Sequence, residues 1–271
     1  MASRSQFRPV SDASPADWVL SGIGPFGSGV GGLVPHGFGA YARVFHPAWG
    51  VGGRAVTWGE VAAWSGRVMH PLAQFGALAA PVRGHGELPR PWRESPDVGT
   101  MPPATLAALC DVLTRHTGSA DRCWFCVWDG YHSGVSSRVT ATFTASAPPP
   151  SGRAAEGEES ESAGGESLDA GLPAEIVNGP VVALPERTYL LLGGSLYAAC
   201  ELSVPGVSFQ SPNLFWPDDH AWCVATEIDL DSTYLGGSPA LVRDLLADER
   251  LEACPVSEDD LVWVTSDEVN I

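Results

Sequence analysis

Residues 122–129 read RCWFCVWD, and this stretch decides the predicted fold. Apolar side chains follow one another without a polar interruption from Cys123 to Trp128, so both faces of an extended chain would be apolar here. A strand that is apolar on both faces is covered on both faces, which places it in the centre of a sheet. Asp129 and Gly130 then supply a turn signal, and residues 138–144 alternate between apolar and polar side chains. Residues 122–144 therefore predict a β-hairpin.

Two helices are predicted on opposite sides of this strand in the sequence. The first covers residues 103–116, where Pro102 and Pro103 precede a leucine stripe at helical spacing. The second covers residues 239–250, because Ser238 can cap a helix that has Pro239 at its first position. Both helices have one apolar face, so we expect both to pack on the sheet.

The remaining strand signals predict an α+β fold. Residues 222–230 are the most regular of them, with Trp222, Val224 and Thr226 on one face and Cys223, Ala225 and Glu227 on the other. With the other segments, we expect a mainly antiparallel, mixed sheet of roughly five to seven strands with a few packed helices. The other predicted strands cover residues 40–45, 181–184, 189–192 and 261–265.

Three segments are predicted to lie outside the core of a single domain that covers residues 1–271. Residues 1–13 are predicted to be disordered, and residues 22–39 form a glycine-rich connection. Residues 146–172 are rich in Glu, Ser, Gly and Pro, and they contain too few bulky apolar side chains to offset the entropy of ordering. We interpret them as a disordered acidic insertion in a loop, although two subdomains separated by this insertion remain an alternative.

The charged residues of the sequence exclude some classes of function. All fifteen basic residues are Arg, so chemistry that needs a Lys amine is excluded. Residues 213–271 carry 14 Asp and Glu against two Arg, which should repel nucleic acid and anionic lipid and could attract a basic protein partner. The sequence has neither an apolar signal core nor a long apolar run, so we expect a cytoplasmic protein with reduced cysteines and no membrane association.

The predicted strand over residues 222–230 contains a candidate metal site. Glu227, Asp229 and Asp231 alternate, so their carboxylates would point from one face of an extended chain. Three carboxylates on one face are suitable ligands for Mg²⁺ or Ca²⁺. The alternative is that they form the solvated face of a half-buried strand, with no cofactor bound.

Aromatic and polar residues beside two of the strands form candidate binding sites. Large aromatic side chains next to polar groups can line the mouth of a ligand pocket, although packing in the core is the common alternative. The first set follows residues 122–129, and the second surrounds the PDDHA loop. The members are Trp128, Tyr131 and His132 in the first set, and Trp216, Asp218, Asp219 and His220 in the second.

Three short motifs match known signatures only formally. Residues 22–27 fit G-x-G-x-x-G, but a predicted helix precedes them where a dinucleotide site needs a strand. Residues 229–233 fit the D-x-D-x-T nucleophile motif of haloacid-dehalogenase-type phosphatases, but only 38 residues follow and the sequence contains no Lys. Cys123 and Cys126 would point to opposite faces of a strand, which prevents them from chelating one metal ion.

Three longer stretches resemble an uncharacterised family of actinobacterial proteins. They are GFGAYARVFHPA (residues 37–48), CWFCVWDGY (123–131) and SPNLFWPDDHAWCVATEIDLDSTYLGGS (211–238). The resemblance spans most of the chain apart from the acidic insertion. It implies a bacterial cytosolic protein with one contiguous fold, and it assigns no activity, ligand or catalytic residue.

Two functional hypotheses of different classes follow. The first is a non-enzymatic binding or interaction protein, regulatory or immunity-like, whose acidic C-terminal part engages a partner. The second is a metal-assisted hydrolase or small-molecule enzyme that uses residues 227–231, with His220 as a further candidate. The sequence has no complete catalytic signature, which favours the first hypothesis.

Overall fold

The computed structural model describes residues 7–131, 174–204, 209–263 and 265–271, and it confirms the α+β prediction. Among these residues the strands are β1 (Ala40–Phe45), β2 (Ala48–Trp49), β3 (Ala55–Val56), β4 (Cys123–Trp128), β5 (Val181–Leu184), β6 (Arg187–Gly194), β7 (Leu214–Pro217), β8 (Cys223–Ala225), β9 (Ser232–Gly237) and β10 (Ala253–Val256). The α-helices are α1 (Asp17–Gly22), α2 (Trp58–Ser65), α3 (Phe75–Leu78), α4 (Pro103–Leu113), α5 (Ala174–Val177) and α6 (Pro239–Leu246).

The main sheet has eight strands within the described ranges, one more than the upper expectation. Their order is β10-β1-β9-β8-β7-β4-β6-β5, and every neighbouring pair is antiparallel, so the expected parallel component of a mixed sheet is not found among them. Strand β4 pairs with β6 on one side and with β7 on the other, so the central position predicted for RCWFCVWD is confirmed. The predicted hairpin partner over residues 138–144 lies outside the described residues, as do His132 and the acidic insertion over residues 146–172.

Both faces of the sheet are covered, which explains why β4 is apolar throughout. Helices α4 and α6 and the 3₁₀ segment Leu196–Glu201 cover one face, where Phe125 packs. The predicted helix over residues 103–116 is confirmed as α4 and a following 3₁₀ turn, whereas α6 ends at Leu246, short of the predicted residue 250. Helix α1 and the glycine-rich segment cover the other face, where Cys126 packs.

The glycine-rich segment was expected outside the core, and this expectation is wrong. Val30 and Val34 are fully buried against the sheet. The Val30 and Gly31 amides donate hydrogen bonds to the carbonyl oxygens of Asp260 (3.0 Å) and Glu258 (2.8 Å). The glycines let the backbone approach this C-terminal segment closely, so the two valines between them reach the core.

The N-terminal expectation is also wrong for residues 7–13. Phe7 is buried, and its ring meets the Phe125 ring edge-to-face at 5.5 Å. Arg8 forms two backbone hydrogen bonds with Gly193 (2.6 and 3.0 Å), beyond the end of β5. Phe7 and the two backbone hydrogen bonds of Arg8 therefore attach this segment to the sheet.

The predicted strand over residues 222–230 is interrupted. Strand β8 ends at Ala225, and the Leu230 amide then donates to the Glu227 carbonyl oxygen (3.1 Å) in a turn that leads to β9. The alternation was interpreted correctly as far as Ala225, because Val224 and Ala225 pack on opposite faces of the sheet. The predicted strand over residues 261–265 is absent from the described part of that range, and the C-terminal strand in the described residues is β10.

A buried arginine in β1 joins the sheet to the segment that follows α2. The side chain of Arg43 is 3% exposed, and its Nε donates to Ser232 Oγ (2.9 Å) in β9. Its Nη1 donates to the carbonyl oxygens of Pro71 (3.0 Å) and Ala73 (2.8 Å). The planar guanidinium can make these bonds in several directions at once, which a Lys amine could not do with the same geometry.

Aromatic rings and a carboxylate complete the surroundings of Arg43. Its guanidinium lies 4.6 Å from the Phe45 ring centre and 5.2 Å from that of Trp58, distances at which cation–π attraction operates. Asp231 Oδ1 lies 3.8 Å from Nη2 and supplies an opposite charge. The rings belong to a third apolar cluster around α2 and α3, so Arg43 holds this cluster against the edge of the sheet.

The close approach at Gly29 can be tested by substitution. Gly29 has φ = +98°, and a Cβ atom there would lie 2.5 Å from the Asp260 carbonyl oxygen. Gly37 has a similar φ of +94°, but no atom lies within 4 Å of the position that its Cβ would take. Backbone strain at a positive φ should lower the free energy of unfolding by about 1–3 kcal/mol in both alanine variants. We expect Gly29→Ala to lose at least about 1 kcal/mol more, since the docked backbones must also separate.

Urea unfolding of the two variants measures this difference, and Gly37→Ala is the matched control. Equal losses in the two variants would contradict the docking of the glycine-rich segment on residues 258–260.

Candidate binding groove

The three predicted metal ligands do not share a strand face, because the chain turns between β8 and β9. Arg187 lies between two of them: its Nη2 donates to Glu227 Oε1 (2.8 Å) and to Asp229 Oδ2 (2.8 Å). Asp231 instead faces Arg43, and burial raises the pKa of Asp231 although Arg43 opposes this shift. Among the described residues, no three His, Cys, Asp or Glu side chains are grouped as metal ligands.

A small cavity lies beside the Arg187–Glu227 pair. It has a volume of about 30 Å³, which is room for one or two water molecules, and Tyr189 and Asn213 are among its lining residues. Phe26 covers it, with the Arg187 guanidinium 5.3 Å from the ring centre. The cavity is too small for an organic ligand, and the Arg187 ion pairs connect the start of β6 to the turn between β8 and β9.

The members of the second predicted binding set contact two different parts of the structure. Trp216 is fully buried and meets Trp18 edge-to-face at 6.1 Å, while the ring of His220 stacks on Trp18 at 4.3 Å. Asp219 accepts hydrogen bonds from Thr117 Oγ1 (2.8 Å) and the Gly118 amide (2.7 Å), and Asp218 pairs with Arg122 (3.1 Å). Trp216 and His220 therefore both contact Trp18, whereas Asp218 and Asp219 bind residues that precede β4. A binding site formed by this set stays a prediction.

The first predicted set is described only in part. Trp128 and Tyr131 meet edge-to-face at 5.3 Å and are both partly buried. The described range ends at residue 131, so their predicted partner His132 lies outside it. A binding site at Trp128 and Tyr131 therefore stays a prediction.

An open groove lies instead at the C-terminal end of the chain. It has a volume of about 360 Å³, which is within the usual range of ligand pockets. Two of its apolar side chains are unusually exposed, Leu261 at 51% and Val269 at 56%. We call it the acidic groove, and its lining residues are His70, Leu72, Asp259, Asp260, Leu261, Thr265, Ser266, Glu268 and Val269.

The acidic groove contains carboxylates that the fold does not use. Most carboxylates of residues 213–271 have a partner: Glu252, for example, accepts from the Trp58 and Gly59 amides at the start of α2. Of the 14 carboxylates in residues 213–271, all of which the structure describes, three form neither a hydrogen bond nor an ion pair through their side chains. These are Glu249, Asp259 and Glu268, and the last two line the groove.

A dense hydrogen-bond cluster around Asp267 lies next to the groove, and His70 belongs to both. His70 Nε2 lies 2.8 Å from Asp267 Oδ1, and the same carboxylate accepts from Asn270 Nδ2 (2.9 Å) and from the Gln74 amide (3.2 Å). Burial opposes ionisation, yet the hydrogen bonds from Asn270, Gln74 and His70 hold the pKa of Asp267 well below its usual range. The hydrogen bonds of Asp267 therefore connect the C-terminal residues to the segment that follows α2.

The sequence reasoning missed the groove. It recognised the acidity of residues 213–271 as a whole, but named none of Asp259, Asp260, Glu268 or Asp267. The available signal was the run Glu258-Asp259-Asp260 next to exposed Leu261. Nothing in the run itself distinguishes a carboxylate with a partner from one without, since the partners come from distant residues.

The chain matches no protein-family model, and no curated protein or solved structure is significantly similar to it. The resemblance to an actinobacterial family therefore stays a prediction. In the ranges that the structure describes, no helix combines the length and apolar character that crossing a membrane requires.

His46, which directly follows β1, is fully buried. Its Nδ1 lies 2.8 Å from the Asp97 carbonyl oxygen, so Nδ1 carries the proton and Nε2 accepts from Thr233 Oγ1 (2.9 Å). Burial lowers the pKa of His46 to about 4, although the Asp97 hydrogen bond opposes this shift. The imidazole is therefore neutral in the folded protein at neutral pH.

This burial predicts a pH-dependent stability. The unfolded chain binds a proton at His46 with a pKa near 6.5, whereas the folded protein does so only at about 4. The contribution of His46 is fully present above pH 6.5 and is lost as the pH falls from 6.5 towards 4, by about 3 kcal/mol in total. We expect His46→Gln to be less stable at pH 7 and to have a shallower loss of stability over this interval.

Urea unfolding at a series of pH values between 7 and 4 measures both slopes, with His85→Gln as the control because His85 is exposed. If the free energy of unfolding of His46→Gln falls with pH as steeply as that of the wild type, the His46 side chain is not buried in its neutral form.

Proposed function

We propose that the protein is a non-enzymatic binding protein whose acidic groove receives a basic segment of a partner protein. The observation that carries this proposal is the pair of unpartnered carboxylates, Asp259 and Glu268, beside exposed Leu261 and Val269. A regulatory or immunity-like role in the cytoplasm fits such a site, because covering a basic surface of a partner would block that surface.

The chemistry of the groove matches Arg and Lys side chains on the partner. Their charged ends can pair with Asp259 and Glu268, while their aliphatic stems can lie along Leu261 and Val269. Asp260 adds a third carboxylate, although one of its oxygens already accepts from the Ser257 amide (2.8 Å). A phosphate backbone or an anionic lipid surface would be repelled by the same groups.

The groove is held in shape from both sides. Backbone hydrogen bonds from Val30 and Gly31 fix residues 258–260 on one side of the groove. The hydrogen bonds of Asp267 fix residues 267–270 on the other side. A preformed site loses little conformational entropy when the partner binds, so a modest number of charge pairs can give useful affinity.

The enzymatic alternative has less support. Arg187 already compensates the charges of Glu227 and Asp229, and Asp231 faces Arg43. A cation at these carboxylates would have to displace two arginines, one of which is buried.

A designed peptide tests the proposal directly. We expect a fluorescent peptide of alternating Arg and Leu to bind the full-length protein at low ionic strength, and to bind more weakly in high salt. Glu268→Gln should weaken binding about two- to fivefold, and the combined Asp259→Asn and Glu268→Gln variant about tenfold, given up to ~1 kcal/mol per exposed charge pair. Fluorescence anisotropy titrations provide the dissociation constants.

Glu249→Gln is the matched control, because Glu249 is another exposed glutamate without a partner in the described residues but does not line the groove. A peptide in which Gln replaces every Arg tests whether charge is needed. Binding that is equally weakened by Glu249→Gln and Glu268→Gln would place the interaction elsewhere, and the absence of binding at low salt would overturn the proposal.

A further inference from the structure

One exposed loop of this chain carries side chains that are complementary to the acidic groove. Residues 81–93 read PVRGHGELPRPWR, with three Arg against one Glu, and we call them the arginine loop. The side chain of Leu88 is 76% exposed, more than that of any other large apolar residue in the described ranges except Ile271. An exposed Leu between arginines suits a groove that presents both carboxylates and apolar side chains.

Two arginines of this loop have no acidic partner in the part of the chain that the structure describes. Within those residues, the side chains of Arg83 and Arg93 form no hydrogen bond, ion pair or ring contact. Arg90 instead lies near the rings of Trp64 (6.0 Å) and Trp92 (5.7 Å), which attach it to the protein surface. The loop therefore presents two guanidinium groups that are available to another molecule.

Backbone contacts hold the arginine loop in shape. The Val82 amide donates to the Ser65 carbonyl oxygen (2.9 Å), and the Gly86 amide donates to that of Trp64 (3.1 Å). Trp64 Nε1 donates in turn to the Leu88 carbonyl oxygen (2.8 Å). Three prolines restrict the backbone of the loop further. Like the groove, the loop therefore loses little conformational entropy when it binds.

The arginine loop and the acidic groove are neighbours on the protein surface. Ser65 contacts the loop and His70 lines the groove, and the six residues from one to the other span at most about 20 Å. Between them, Arg67 donates to the carbonyl oxygens of Ala80 (2.9 Å), next to the loop, and of Ile271 (3.2 Å), at the end of the chain. Two complementary surfaces that are neighbours on one molecule can meet reciprocally about a two-fold axis.

We propose that a second copy of this chain is a partner of the acidic groove, and that the arginine loop of each copy enters the groove of the other. This inference rests on the proposed function, because it names an occupant of the same groove. In the dimer, the two available arginines of the loop pair with Asp259 and Glu268, while Leu88 lies against the apolar side chains of the groove. The same contact forms twice, so the assembly closes at two chains.

The overall charge of the chain determines the ionic strength at which this contact is tested. Each copy has a net charge of −17, so two copies repel each other at long range. At about 0.15 M salt, exposed charges more than about 8 Å apart are largely screened from each other, whereas pairs in contact still interact. The dimer is therefore expected at this ionic strength.

Sedimentation equilibrium of the full-length protein in about 0.15 M salt tests the assembly. We expect the weight-average mass to rise from that of one chain towards that of two between about 1 and 300 µM, the range of a weak, transient association. A mass that stays at one chain throughout this range would overturn the proposal. A mass that continues to rise beyond two chains would contradict the reciprocal contact.

Two charge-reversed variants test whether the loop and the groove form the contact. The loop variant combines Arg83→Glu with Arg93→Glu, and the groove variant combines Asp259→Arg with Glu268→Arg. Each variant alone brings like charges together, so we expect its dissociation constant to rise at least about tenfold. An equimolar mixture of the two should form a heterodimer with about the wild-type affinity, because both contacts then join opposite charges again.

The matched control for the loop variant combines Arg115→Glu with Arg243→Glu. It reverses two exposed arginines outside the loop and has the same net charge as the loop variant. We expect it to dimerise like the wild type. An equal loss of dimerisation in this control, or a mixture of the loop and groove variants that stays monomeric, would overturn the proposal.

Peptide binding separates the failure of this proposal from the failure of the proposed function. The loop variant retains the acidic groove, so it should bind the peptide of alternating Arg and Leu at least as tightly as the wild type. If the wild-type protein binds the peptide but stays monomeric, the dimer is overturned and the proposed function is not. If it neither binds the peptide nor associates with itself, both are overturned.

Discussion

The buried guanidinium of Arg43 is the interaction on which the position of the acidic groove depends. Removing an arginine from water costs several kcal/mol unless its donors and charge are compensated. Ser232, two carbonyl oxygens and Asp231 supply that compensation, and three aromatic rings enclose the group. The carbonyl oxygens belong to Pro71 and Ala73, so Arg43 fixes the segment in which His70 and Gln74 contact Asp267. Through this chain of contacts, one side chain in the sheet determines where Glu268 and Val269 stand in the acidic groove.

The local and periodic features of the fold were predictable. The unbroken apolar run of β4 indicated burial on both faces, and the leucine stripe of α4 indicated its packed face, because both signals depend only on neighbouring residues. The interruption between β8 and β9 was not predictable in this way, since the apolar and polar alternation of residues 222–230 continues through the turn. Phe7, Val30 and Val34 were also misplaced. Their burial depends on a strand edge and on carbonyl groups that the distant parts of the chain supply.

The acidity of the candidate site was predictable from the sequence, but the residues that form the site were not. Residues 213–271 are strongly acidic, but the partners that neutralise these carboxylates, such as Arg187 for Glu227 and Asp229, are distant in the sequence. Only the folded chain distinguishes Asp259 and Glu268 from the acids that stabilise the fold.

Amide hydrogen exchange in Arg43→Lys, compared with the wild-type protein, tests the role of Arg43 most directly. Lysine retains the positive charge but cannot reach Ser232 and both carbonyl oxygens together. The account predicts faster exchange at residues 68–78 and 257–271, with β4 and β6 protected as in the wild type. Unchanged exchange at residues 257–271, or an equal acceleration throughout the sheet, would contradict the view that Arg43 holds the acidic groove in place.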